Sequence, residues 1–313
     1  MENINHIKVG IDPNGANLPS IKELLGKTDS IQTAERNAAS EGNFYEPLGD
    51  KIGPGMNSRV QRLRKLSFEA EPSISIERAL HQTAFYKEHY GKHSIPVLRA
   101  LTFLDHCEKK TLYFGEDELI VGERGPVPKA VPTFPELTCH SVEDFHVLNS
   151  RDQQRYTTSQ EDINTYAKEV IPYWEGRTQR ERIFNHVPDT WKRAYEAGLF
   201  TEFMEQRAPG HTVLDGKIYK KGMLDFKKEI QDHIDSLDYM MDAEANDKAE
   251  QLKAMAISCD ASIVFAERHA DLAEERAQTE SDPAKKAELL KIAEVCRWVP
   301  ANAPRTFHEA VQM

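Results

Sequence analysis

The side chains best placed to do chemistry in this 313-residue sequence crowd into residues 195–222, centred on FTEFMEQRAPGHT at 200–212. Within it Phe203 offers an aromatic wall, Arg207 a permanent cation and His211 a group that titrates near neutral pH. Phe203, Met204 and Pro209 surround Arg207 with apolar matter, so its guanidinium needs a carboxylate or an anionic ligand to complete it. Two readings stand side by side. In one, Glu202 or Glu205 pairs Arg207 and His211 caps a backbone carbonyl. In the other, an anion-binding arginine sits beside a proton-transferring histidine at the wall of a substrate pocket.

The local elements must hold these groups around one corner. A helical turn runs to about Arg207, because Pro209 has no amide donor and disfavours helix at Ala208. The Pro209-Gly210 pair then bends the chain, and Thr212 and Val213 leave in extended form.

Around this stretch the sequence reads as mainly helical. Val60, Leu63 and Leu66 open a helix at Ser58, and further helices are expected over 76–89 and 96–109, the latter with Pro96 in its first turn. Residues 111–122 change period around a Gly-acidic turn and read as a short β-hairpin. Prolines at 126, 128, 132 and 135 then impose a stiff, extended path. Ser159 starts a helix that Pro172 ends or kinks. Trp191 and Tyr195 are read as core aromatics. Helices follow over 224–240 and along a stripe of Leu252, Met255, Cys259, Ile263, Ala266, Ala270 and Ala273. Asp282-Pro283 caps another. Thr306 to Glu309 is a capping-box pattern announcing a last helix, with Phe307, Ala310 and Val311 ready for burial. A helix begun so near Met313 makes a truncation point there the expectation.

Composition narrows the function classes. A net charge of −11 disfavours nucleic acid and anionic membrane as partners. No apolar run reaches the length of a bilayer span and the N-terminus has no secretion signal, so the expected location is cytoplasmic. Cys107, Cys139, Cys259 and Cys296 form no CxxC pair and suit reduced thiols, with Cys259 a buried, inert one. His140 and His146 near Cys139 match no common metal spacing, and no metal or cofactor-binding residue is assigned. Residues 1–57 differ from the rest: turn signals enclose a polar stretch with one amphipathic helix on Ile21, Leu24, Leu25 and Ile31. They are expected to form a partly flexible extension ahead of a body at 58–313.

Several separated motifs, taken in order, resemble the N-terminal part of a glycyl radical enzyme of the pyruvate formate-lyase-like family. They are SRVQRLR at 58–64, ISIERA at 74–79, DELIVGE at 117–123, PTFPE at 132–136 and the stretch at 200–212. The resemblance implies a mainly α-helical fragment of a ten-stranded α/β barrel, most of whose strands belong to later sequence. It implies a lyase of anaerobic metabolism that works as a homodimer on a small molecule. Its glycyl radical would be installed by a separate radical S-adenosylmethionine enzyme carrying an iron–sulfur cluster. The radical cysteine and glycine belong to later family motifs, so this chain alone is expected to be inactive.

In the branch that dehydrates trans-4-hydroxyproline, the motif's Phe and His stand at the substrate and match Phe203 and His211. In the isethionate sulfite-lyase branch a glutamine is expected at position 211, with Arg207 on the sulfonate. His211 therefore favours a C–O lyase, with a C–S lyase as the alternative and a non-catalytic helical partner-binding module as the third reading. Some family members are packaged in bacterial microcompartments, which leaves residues 1–57 an address role as an alternative to a loosely packed leader.

Overall fold

A computed structural model describes residues 58–200 and 214–313. Backbone contacts divide the chain into two units, Met1–Gln61 and Arg62–Met313. Of the first, only the opening residues of helix α1 (Ser58–Glu69) are described; the rest of α1 and all that follows lie in the second. The stripe of α1 stays largely open, with Val60 and Leu66 both exposed.

Strand β1 (Ser73–Ser75) leads into α2 (Glu77–His89) and α3 (Ile95–Lys109), which carries its proline in the first turn as expected. Strand β2 (Ala130–Pro132) returns parallel to β1, pairing Ile74 with Val131. Gly125 lies so close to β2 that a Cβ there would stand 2.5 Å from that of Ala130. Then come α4 (Val142–Ser150), α5 (Gln160–Glu169) and the one-turn α6 (Ile171–Trp174). Pro172 ends one helix and starts the next, since it cannot donate inside a helix but suits a first turn. Ile74, Ala79, Leu98, Phe145, Tyr166 and Trp174 meet in the first core, where the Trp174 indole donates to the Thr83 hydroxyl at 2.9 Å.

Helices α7 (Gln179–His186) and α8 (Asp189–Glu196) precede position 200. After it come a 3₁₀ turn (Asp215–Tyr219), α9 (Met223–Asp235), the 35-residue α10 (Ala245–Thr279), α11 (Pro283–Trp298) and α12 (Phe307–Gln312). Helix α10 is the spine: it packs along α3, α9 and α11. Its buried positions are mostly alanines, among them Ala261, Ala270 and Ala273, whose small side chains let neighbouring helices approach closely. Cys259 is buried there, and burial pushes its thiol upward, in keeping with an inert role. Met255 on the same helix is exposed instead.

Three further expectations differ from what is found. The hairpin at 111–122 is absent; the regular strands among the described residues are the parallel pair β1–β2. The Gly-acidic turn does form, with the Glu118 carboxylate accepting from the Gly115 amide. Its flanks, however, give their carbonyls to helices: Phe114 to Arg276, Glu116 to Lys285, Leu119 to His308 and Val121 to Gln312. Helix α9 ends at Asp235 rather than near Met240, because the Asp238 carboxylate accepts from the Met240 and Met241 amides and sets a turn. In α12 the buried side chain is Glu309, bonded by Arg305, while Phe307 is 86% exposed.

Candidate functional site

Phe203, Arg207 and His211 lie outside the described residues. Both approaches to their segment are described, and both are fixed. On the near side, Arg180 places its guanidinium 4.2 Å from the centre of the Phe184 ring and donates to the Tyr195 hydroxyl at 3.2 Å. Trp191 and Tyr195, one turn apart on α8, stack at 5.7 Å, and the Phe200 ring closes on Trp191 at 4.8 Å. The aromatics read as core thus form a half-buried cluster around a cation, ending at Phe200. On the far side, Leu214 and Asp215 both take positive φ, a left-handed conformation that ordinary residues resist. The chain then enters α9 at Gly222, where a Cβ would stand 2.2 Å from the Ala301 carbonyl. The Met223 and Leu224 amides donate to the Pro300 and Ala301 carbonyls, so the open end of α9 is satisfied by the turn after α11.

The motifs quoted at 74–79 and 132–136 meet through one ion pair. Arg78 makes a two-pronged contact with Glu136 at 2.5 and 3.1 Å, donates to the Thr133 carbonyl at 3.1 Å and lies over the Phe134 ring. The basic residue Arg62 likewise finds an acid, Asp117 of the motif at 117–123, through a bidentate contact. These pairs tie the motif segments into one frame.

A groove of about 600 Å³ opens beside β1, lined by Ser73, Ser75, Glu77, His81, Thr111 and Asp162 among others. The Glu77 carboxylate accepts from both the amide and the hydroxyl of Thr111, at 2.9 and 2.7 Å. One turn further along α2, the Nδ1 of His81 lies 3.0 Å from the Nδ1 of His106 on α3. Burial holds both imidazoles below the ordinary value, His106 at about 4, where the neighbouring His81 depresses it further. Sequence reading passed over this pair. Glu77 and His81 share a helical face, but nothing in the sequence brings His106 to them.

Among the described residues no cluster of three His, Cys, Asp or Glu side chains could hold a metal, and no helix is long and apolar enough to cross a membrane. Burial pushes the thiols of Cys107 and Cys296 up to about 11, which leaves them protonated and poorly nucleophilic.

The helical frame, the parallel strand pair and the linked motifs are those of a glycyl radical enzyme's barrel fold, and the chain belongs to the pyruvate formate lyase-like family, whose sequence model matches residues 55–313. It is 48% identical over 259 residues to trans-4-hydroxy-L-proline dehydratase of Clostridioides difficile, covering 83% of this chain and 33% of that protein. It superimposes on the crystal structure of that organism's hydroxyproline dehydratase with trans-4-hydroxy-L-proline bound, at a TM-score of 0.80 over 84% of this chain and 33% of that one. Isethionate sulfite-lyase of Nitratidesulfovibrio vulgaris is 35% identical over 293 residues, 86% of this chain and 35% of that protein. A glycyl radical enzyme from Archaeoglobus fulgidus gives a TM-score of 0.72 at 29% identity, over 82% of this chain and 33% of that one. The chain therefore spans about a third of the length of the relatives it matches.

Proposed function

We propose that these residues are the front portion of a glycyl radical C–O lyase of the trans-4-hydroxyproline type, with residues 1–57 an extension ahead of the family body. The observation that carries this reading is the identity of 48% to the hydroxyproline dehydratase, against 35% to the sulfite-lyase. In this reading the segment at 200–212 is one wall of the substrate pocket.

Phe203 packs against the substrate's carbon frame. Arg207 pairs with its carboxylate, which supplies the anion that an apolar-flanked guanidinium requires. His211 hydrogen-bonds the hydroxyl that leaves and delivers the proton with which it departs as water. A glycyl radical, passed through a thiyl cysteine, supplies removal of a hydrogen atom from a carbon whose C–H bond is not acidic. Neither group is assigned to the residues in hand: Cys107 and Cys296 are buried, protonated thiols. These 313 residues alone are accordingly read as inactive, and the whole protein as a cytoplasmic homodimer served by a radical S-adenosylmethionine activating enzyme.

The C–S lyase reading keeps Arg207 as a sulfonate ligand but leaves His211 without its task. Anaerobic kinetics of the activated whole gene product test the assignment. His211→Ala is expected to lower kcat by about 10²–10⁴-fold, the usual contribution of a general acid. Arg207→Ala is expected to raise KM by about 10–100-fold, the equivalent of one charged hydrogen bond. Wild-type kinetics in both variants would remove the segment from the site.

A further inference from the structure

Helices α2 and α3 are joined at one point by two imidazoles in line. The Nδ1 atoms of His81 and His106 are 3.0 Å apart, and the ring centres 5.3 Å. That centre separation is what the contact plus one ring radius on each side amounts to, so both nitrogens lie on the line between the rings. Their lone pairs point at each other rather than toward a common third point. This is the geometry of a hydrogen bond and not of a metal chelate.

An Nδ1···Nδ1 bond constrains the protons. In the neutral pair one ring carries its proton on Nδ1 and donates; the other accepts on Nδ1 and carries its proton on Nε2. A first added proton goes to the donor's free Nε2. The donor becomes an imidazolium and the bond persists, now charge-assisted. The only lone pair left is the acceptor's Nδ1, which the bond itself occupies. A second proton must break the bond and set two cationic N–H groups face to face.

The same seam carries a second link. Glu77, one turn before His81, holds the amide and hydroxyl of Thr111, the second residue beyond the end of α3. His81, Glu77 and Thr111 all line the groove beside β1. The charged groups around the pair are mixed: Glu77 and Arg78 from α2, Asp105 and Lys109 from α3, and Lys110 beyond it. Glu77 and Asp105 help accommodate one positive charge on the pair; Arg78, Lys109 and Lys110 oppose a second.

We propose that His81 and His106 form a two-proton latch, which holds the α2–α3 seam closed with zero or one added proton and opens it, with the groove, on the second. Because burial keeps both rings neutral below their ordinary value of 6.5, the unfolded chain takes up protons first. Stability from this pair is complete above that value and is lost as pH falls toward the value of about 4 for His106.

The test is nitrogen NMR of the uniformly ¹⁵N-labelled chain. A ¹⁵N–¹⁵N coupling through the hydrogen bond should join the two Nδ1 atoms at neutral pH, survive the first protonation and vanish with the second. The Thr111 amide should shift only at that second step. Two independent one-proton titrations near 6.5, or a Thr111 amide that never responds, would overturn the latch. Hydrogen exchange, corrected for intrinsic rates, supplies a second reading. Acid should deprotect α2 and α3 in the wild type but much less in His81→Gln, whose amide can bond His106 without titrating. Equal acid deprotection in both chains would contradict the proposal, and should the variant not fold, the wild-type coupling decides alone.

Discussion

Arg78 and Glu136 stand 58 residues apart and yet make the contact that ties two of the chain's motifs together. Both side chains are mostly buried, so water screens the pair little. The two-pronged geometry adds to the pairing. Arg78→Ala removes the pair, the bond to the Thr133 carbonyl and the packing over Phe134 together. A loss of about 2 kcal/mol is expected from urea unfolding, within the range for charged hydrogen bonds. A midpoint unchanged from wild type would show that the pair does not support the frame. Both residues were visible as motif members, but their partnership was not, because sequence carries no distance across 58 positions. The same holds for His81 with His106. For Phe203, Arg207 and His211, residue types alone left two readings open, and the choice between them rests on the family.

At the scale of elements, the signals that a few neighbouring residues carry were legible. Ser159, Asp282 and Thr306 each cap the helix expected of them, since a side-chain oxygen meets an amide two or three positions on wherever the chain turns helical. What failed was the hairpin at 111–122, because strand pairing depends on partners and here helices took the backbone groups first. Gln312 illustrates this: its amide gives to the Val121 carbonyl and takes from the Val121 amide, both at 2.9 Å, filling the place of a neighbouring strand. Helix α12 has two turns and gains little from its own hydrogen bonds, so this clamp matters to its docking. Val121 is buried, so Gln312→Ala should leave both its backbone groups unpaired. The cost is expected to be about 2 kcal/mol. Native-state hydrogen exchange should show it as lost protection of the Val121 amide; an amide as protected as before would mean another partner replaces the clamp.

For the molecule as a whole, the sequence pointed to a helical body with apolar faces intended for contact. The described residues include Phe307 at 86%, Met240 at 91% and Leu199 at 77% exposed. The fold and family were readable because several ordered motifs agreed. Burial at these faces was not, because a stripe records that a residue is apolar and leaves open what covers it. Exposed apolar surface on this scale predicts that the 313-residue chain self-associates. Sedimentation velocity should show weight-average mass rising with concentration, and Phe307→Ser together with Val311→Ser should reduce it; a monomer at every concentration would contradict the expectation.

The most direct test of the functional account is substrate choice. The whole gene product containing these residues, treated anaerobically with the radical S-adenosylmethionine activating enzyme that the proposed function calls for, is offered trans-4-hydroxy-L-proline and isethionate in parallel. The account predicts loss of water from the first and no sulfite from the second. Release of sulfite from isethionate, with hydroxyproline untouched, would contradict it and return Arg207 to a sulfonate.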